Sequence, residues 1–137
     1  MATEITAFEI ETVEGKDRLY FIGWGLSILA GLALLASASM KFAKPEPGFT
    51  EGLQHIGWET SKATALGVIE ALSTIIFLIP RTAIFGAVLL AAYLGGAVAT
   101  HVRVGDPFIA PVVIGVVVWL ALWLREPRLR ALTPLRD

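Results

Sequence analysis

The sequence contains no cysteine, and that absence excludes several kinds of chemistry. A chain without thiols forms no disulfide, attaches no haem through thioethers and supplies no thiolate ligand to a metal or an iron–sulfur cluster. Histidine is also scarce: His55 and His101 are the only two, and neither belongs to an HxxxH or HxxE motif. We therefore predict no metal site.

Charged residues are few as well. They make up 17% of the 137 residues, whereas hydrophobic residues make up 55% and the mean hydropathy is +0.71. These values lie outside the usual range of soluble domains, so the sequence predicts an integral membrane protein whose main partner is the lipid bilayer. The formal net charge of −1 offers no basic surface of the kind that binds nucleic acid, and we expect no such partner.

Long apolar runs define the organisation of the chain. Because backbone groups in a bilayer must be hydrogen-bonded within the protein, each run is expected to form a membrane-spanning helix. The predicted fold class is all-α, an integral membrane four-helix bundle. Its four predicted spans are residues 19–40, 63–79, 82–100 and 108–124.

The segments outside the spans are short. Residues 1–17 show no firm period and are expected to form a weakly ordered N-terminal tail, and residues 125–137 form a basic C-terminal tail. The longest loop follows the first span, and it has room for a short interfacial helix from Glu51 to Glu59. Ahead of the fourth span, Asp106 is predicted to be the N-cap and Pro107 the first helical residue.

An even number of spans places both termini on the same side of the membrane. Of the 11 lysines and arginines, 7 fall on the side of the termini and 4 on the other. Basic residues concentrate on the cytoplasmic side of membrane proteins, so we predict cytoplasmic termini.

Glu70 lies within the second apolar run. A charged side chain at the centre of a bilayer costs roughly 2.5 to 3.5 kcal/mol on insertion scales, so it is expected to turn away from lipid and to have a functional role. The helical period places Gly67, Ser73 and Thr74 beside it, on a small and polar face suited to the inside of a bundle.

Partners for Glu70 are expected at the membrane side opposite the termini. Lys41 ends the first span there, and His101 follows the third, so these residues and Glu70 are predicted to form one cluster. The predicted ligand-binding residues are Ser37, Lys41, Glu70, Tyr93, Thr100 and His101. Other interpretations remain open: Glu70 and Lys41 as a structural ion pair, Lys41 extended to the headgroups, and His101 as a solvated side chain.

Several short segments resemble a known family. The residues are Ala38–Phe42 at the end of the first span, Gly67–Glu70 in the second, Pro80 with Gly86 after it, and Gly96–His101 closing the third. Together they resemble the DoxX-like family of small four-helix bacterial membrane proteins over about residues 19–124.

The resemblance implies a multi-pass protein of the bacterial cytoplasmic (inner) membrane, with the family's polar positions at Lys41, Glu70 and His101. Some relatives are subunits of a thiosulfate:quinone oxidoreductase, and others associate with oxidative-stress systems. The chain has no cysteine for sulfur chemistry, so the resemblance does not carry over a sulfur-handling activity.

Three functions remain open at this stage. The first is a redox-associated subunit whose pocket binds a small lipophile, with a quinone as its cofactor, because histidine, lysine and tyrosine donate hydrogen bonds to carbonyl groups. The second is an intramembrane enzyme in which Glu70 and His101 are the catalytic acid and base. The third is a structural subunit. The expected protein partners are a membrane redox subunit or further copies of this chain, whose small residues permit close helix packing.

Overall fold

The computed structural model describes residues 2–43 and 46–132, and side chains from residue 18 onward within those ranges. The described residues form helices and turns without a strand, which confirms the all-α fold class. Short 3-10 turns at Thr60–Lys62 and Pro80–Thr82 lead into two of the helices. The α-helices are α1 (Ala2–Phe42), α2 (Pro47–His55), α3 (Ala63–Leu78), α4 (Ala83–Val104), α5 (Ile109–Arg125) and α6 (Pro127–Leu132).

The ends of the chain differ from the expected tails. Helix α1 begins at Ala2, so it continues through the stretch for which the sequence predicts little order. Helix α6 occupies the start of the basic C-terminal segment. Met1, the side chains of residues 2–17 and all of residues 133–137 lie outside the described part of the chain.

Two local predictions in the loops are wrong. The interfacial helix lies four residues earlier than expected, because Pro47 suits its first turn and the chain turns at Gly57, which has a φ of 80°. Asp106 does not cap α5, whose N-cap is Phe108. The backbone N–H of Asp106 instead donates to the His101 carbonyl oxygen. Asp106 follows Gly105, which has a left-handed backbone conformation, and so completes the C-terminal cap of α4.

Helices α1, α3, α4 and α5 pack in a closed cycle, in which α1 and α4 each contact both α3 and α5. Leu34, Phe77, Leu90 and Leu122 fill the centre and are almost fully buried. Gly86 lets α4 approach α3 closely, since a Cβ there would lie 2.2 Å from the Phe77 backbone nitrogen.

The outer surface of this cycle is apolar, with side chains such as Phe21, Leu29 and Phe85 at least 60% exposed. Within the part of the chain that the structure describes, three helices are long and apolar enough to cross a membrane, and α5 is a shorter apolar helix of 17 residues. Apolar surface on this scale suits a protein that sits in a lipid bilayer. The three long apolar segments are Arg18–Phe42, Thr60–Leu78 and Pro80–Val104.

Candidate functional site

A partly open cavity of about 870 Å³ lies at one end of the helix cycle. Its walls are the C-terminal halves of α1 and α4 and the N-terminal halves of α3 and α5, with α2 placed across it. Most of the lining is apolar, which is typical of pockets for small lipophilic molecules. Six polar side chains selected from the sequence line this cavity: Ser37, Lys41, Glu70, Tyr93, Thr100 and His101.

Lys41 and Glu70 form an ion pair in the cavity wall. Lys41 Nζ lies 2.8 Å from Glu70 Oε2, and the side chains are only 15% and 3% exposed, respectively. The same ammonium donates to Ser37 Oγ at 2.8 Å and to the Ser37 carbonyl oxygen at 3.3 Å. These contacts engage all three N–H groups of Lys41 and give the buried carboxylate a cationic partner.

The packing of α1 on α3 brings this pair together. Glu70 lies on the buried stripe of α3 with Gly67, Ser73 and Thr74. A Cβ on Gly67 would lie 3.0 Å from Lys41 Cβ, so the glycine lets the two helices approach at the level of the ion pair. Thr74 Oγ1 donates to the Glu70 carbonyl oxygen within α3 and is not available to the carboxylate.

Tyr93 adds a hydroxyl from α4. It is half-buried, and its side chain faces the Glu70 carboxylate. Three different helices therefore contribute to one polar group, which we call the Lys41–Glu70–Tyr93 cluster. Thr100 lines the same cavity, but its hydroxyl donates to the Gly96 carbonyl oxygen of its own helix at 2.8 Å.

His101 belongs to a second polar group at the cavity, so the expected single cluster of Lys41, Glu70 and His101 is two groups instead. His101 Nδ1 lies 3.8 Å from Asp106 Oδ2 and has no hydrogen-bond partner among the described residues. Asp106 Oδ1 lies 3.1 Å from His55 Nε2. We call this the His55–Asp106–His101 group, and all three of its residues line the cavity.

Few features of the sequence indicate this second group. Local rules assigned Asp106 to a helix cap, and His55 lies in a long loop, 51 residues away along the chain. Within the described ranges, no set of three or more histidine, aspartate and glutamate side chains is arranged to hold a metal ion. The contacts that the group makes are a hydrogen bond between His55 and Asp106 and a longer histidine–carboxylate contact between His101 and Asp106.

A further buried charge lies away from the cavity, at the other end of the helix cycle. Arg125 is 6% exposed, and its guanidinium stacks between the rings of Trp24 and Phe77, at 4.5 and 4.6 Å from their centroids. It also donates to the Phe77 carbonyl oxygen. These contacts tie α5 to α1 and α3, so this residue, which the sequence assigned to a basic tail, has a packing role.

Comparison with known protein families identifies a match to most of the chain. A family model described as the DoxX-like family matches residues 25–124, which include every residue that lines the cavity. No curated protein and no solved structure matches the chain.

Proposed function

The chain belongs to the DoxX-like family, and from that premise we propose that it is a membrane subunit that binds a small lipophile of the quinone type. The observation that carries the proposal is the Lys41–Glu70–Tyr93 cluster in the wall of a largely apolar cavity. The volume of about 870 Å³ lies within the range of pockets that enclose small ligands, roughly 300 to 1,000 Å³.

The hydrogen-bond donors around the cavity suit the carbonyl oxygens of a quinone. A carbonyl accepts hydrogen bonds only, and the ammonium, phenol and imidazole side chains here are all donors. The bond from Lys41 Nζ to the Ser37 carbonyl oxygen is the longest of its three contacts, at 3.3 Å. We expect a ligand carbonyl to replace this weakest bond while the contact with Glu70 persists. The apolar walls would then hold the ring and the start of its tail.

We further propose that α1, α3, α4 and α5 all span the bacterial inner membrane, with both termini in the cytoplasm. The count of basic residues supports this orientation, and the cavity would then face the opposite side. Helix α5 has 17 residues. At 1.5 Å per residue this is about 25 Å, somewhat short of the hydrocarbon core of about 30 Å, and its flanking residues would extend it into the headgroups.

A quinone takes part in a redox reaction only when another component supplies or removes electrons. We therefore propose a membrane redox subunit as the partner of this chain. The alternative of an intramembrane enzyme needs Glu70 and His101 to act as a pair, but His101 contacts Asp106 while Glu70 contacts Lys41. The arrangement favours ligand binding over acid–base chemistry by those two residues.

Thermal unfolding of the detergent-purified protein tests the proposal, with a decyl-substituted benzoquinone as the probe. We expect the quinone to raise the Tm in a concentration-dependent manner, because a ligand that binds the folded state stabilises it. Tyr93→Phe removes one hydroxyl from the cluster and should weaken binding about tenfold, which corresponds to the loss of one hydrogen bond.

The chain offers a matched control in its second tyrosine. Tyr20 is 45% exposed and lies outside the cavity, so Tyr20→Phe should bind the quinone as the unaltered protein does. A Tm that does not respond to quinone, or an equal effect of the two tyrosine variants, would rule out this use of the cluster. A structural subunit would then be the remaining interpretation.

A further inference from the structure

Helix α2 covers the cavity as a short amphipathic element. Phe49, Leu53 and His55 from α2 line the cavity, and Leu53 is only 6% exposed. Glu51 and Gln54, on the other side of the helix, are exposed. One face of α2 thus contributes to the cavity wall while the opposite face is polar, as expected of a cover at the surface of the protein.

Two long-range polar contacts hold the C-terminal end of α2 in place. His55 Nε2 lies 3.1 Å from Asp106 Oδ1, and Arg103 Nη2 donates to the Ile56 carbonyl oxygen at 2.6 Å. The first contact reaches the turn between α4 and α5, and the second reaches the last turn of α4. Gly57 makes room for the arginine, since a Cβ there would lie 2.6 Å from Arg103 Nη2. An element held by exposed polar contacts and little buried apolar surface opens at low free-energy cost.

The contact at Asp106 brings one carboxylate and two imidazole side chains together. Its carboxylate faces His55 from α2 and His101 from α4, and the neighbouring Arg103 keeps its charge at any pH of interest. The His55 side chain is 59% exposed, so it exchanges protons with the surrounding solution. Protonation of His55 places a positive charge on α2 beside the Asp106 carboxylate, whereas a neutral imidazole there can only donate a hydrogen bond to that anion. His101 and Asp106 lie in α4 and the turn that follows it, so their pairing does not hold α2.

We propose that α2 is a pH-responsive lid on the cavity, which closes when His55 is protonated and pairs with Asp106. The role of the lid in ligand access rests on the proposed function, but its movement does not. Exposed ion pairs are weak, so the His55–Asp106 pair shifts the ratio of closed to open lid by at most about fivefold. The lid is therefore a graded device rather than a lock.

Because the chain lacks cysteine, two introduced thiols give selective spin labelling. Glu51→Cys on α2 and Ala99→Cys on α4 are both exposed and both outside the cavity lining. Pulsed electron paramagnetic resonance then reports the distance between the labels without any ligand. We expect one short distance at about pH 5.5 and a second, longer population at about pH 8, on either side of the usual histidine titration range.

Asp106→Asn in the same labelled protein removes the shared carboxylate. This variant should show the longer population at both pH values, and His55→Gln, which removes the ionisable partner on α2, should lose the pH response as well. A distance distribution that does not change with pH in the labelled parent, or one that changes equally in Asp106→Asn, would overturn the lid. Neither result depends on quinone, so failure of the lid and failure of the proposed function are distinguishable.

Discussion

Lys41 and Glu70 are charged residues in a place where charge is costly, and their pairing limits that cost. A buried ion pair adds little net stability, because the desolvation of both groups offsets their attraction. Replacement of both partners by uncharged groups is often neutral, whereas removal of one partner leaves an uncompensated charge. The pair, with a separation of 2.8 Å, lies at the wall of a cavity, so its contribution to packing and its proposed contribution to ligand binding can be tested separately.

Two variants separate the contribution of the ion pair to stability from its contribution to binding. Lys41→Met leaves Glu70 without its cation and should lower the free energy of unfolding by about 3 kcal/mol. The double variant Lys41→Met with Glu70→Gln removes both charges and should recover most of that loss. Thermal unfolding in detergent, followed by circular dichroism, measures both effects.

Quinone binding should respond differently from stability. The double variant is expected to unfold near the temperature of the parent protein and yet to show no rise in Tm with the decyl benzoquinone. A double variant as unstable as Lys41→Met alone would mean that the ion pair is required for packing. The cluster would then be a structural feature in a cavity without a polar ligand.

At the scale of helices, close approach depends on small residues at particular positions. Gly86 on α4 meets the backbone of α3 at Phe77, and a flexible side chain is not available there to move aside. Gly95, on the same helix, has no atom within 4 Å of the position where a Cβ would stand. There is therefore no room for a side chain at Gly86, whereas there is room for one at Gly95.

Alanine substitutions at these two glycines test the packing. Gly86→Ala should lower the free energy of unfolding by about 1 to 3 kcal/mol, as overpacked substitutions do. Gly95→Ala should leave stability unchanged or raise it by up to about 1 kcal/mol, because alanine is the better helix former. Thermal unfolding of the two variants side by side provides the comparison. Equal effects would contradict the close contact of α3 and α4.

Local sequence patterns predicted the helices but not all of their partners. Apolar runs and the helical period indicated α1, α3, α4 and α5 and a buried position for Glu70, since these features depend on neighbours within a few residues. Asp106 was predicted to cap α5. It instead follows the left-handed Gly105 and contacts His55, which lies 51 residues away in the sequence. Arg125 was likewise assigned to a tail because Trp24 lies far from it in the sequence. Contacts between distant segments are not encoded in local patterns.

The two ends of the whole molecule differ in character. At one end the Lys41–Glu70–Tyr93 cluster and the His55–Asp106–His101 group border a cavity of about 870 Å³ under α2. At the other end Arg125 is stacked between the rings of Trp24 and Phe77, and its side chain packs α5 against α1 and α3. If the helices span a bilayer, this asymmetry gives a ligand access from one side only. A lipophile would enter from the membrane or under the lid and stop at the cluster.

Photoaffinity labelling tests the central claim most directly. An azido-substituted benzoquinone is added to the protein in detergent and irradiated, and the modified residues are identified by mass spectrometry. The account predicts adducts on residues that line the cavity, around Tyr93 and His101, which an excess of unlabelled quinone suppresses. Adducts confined to the outer surface near Leu29 and Phe85, and insensitive to competition, would contradict it.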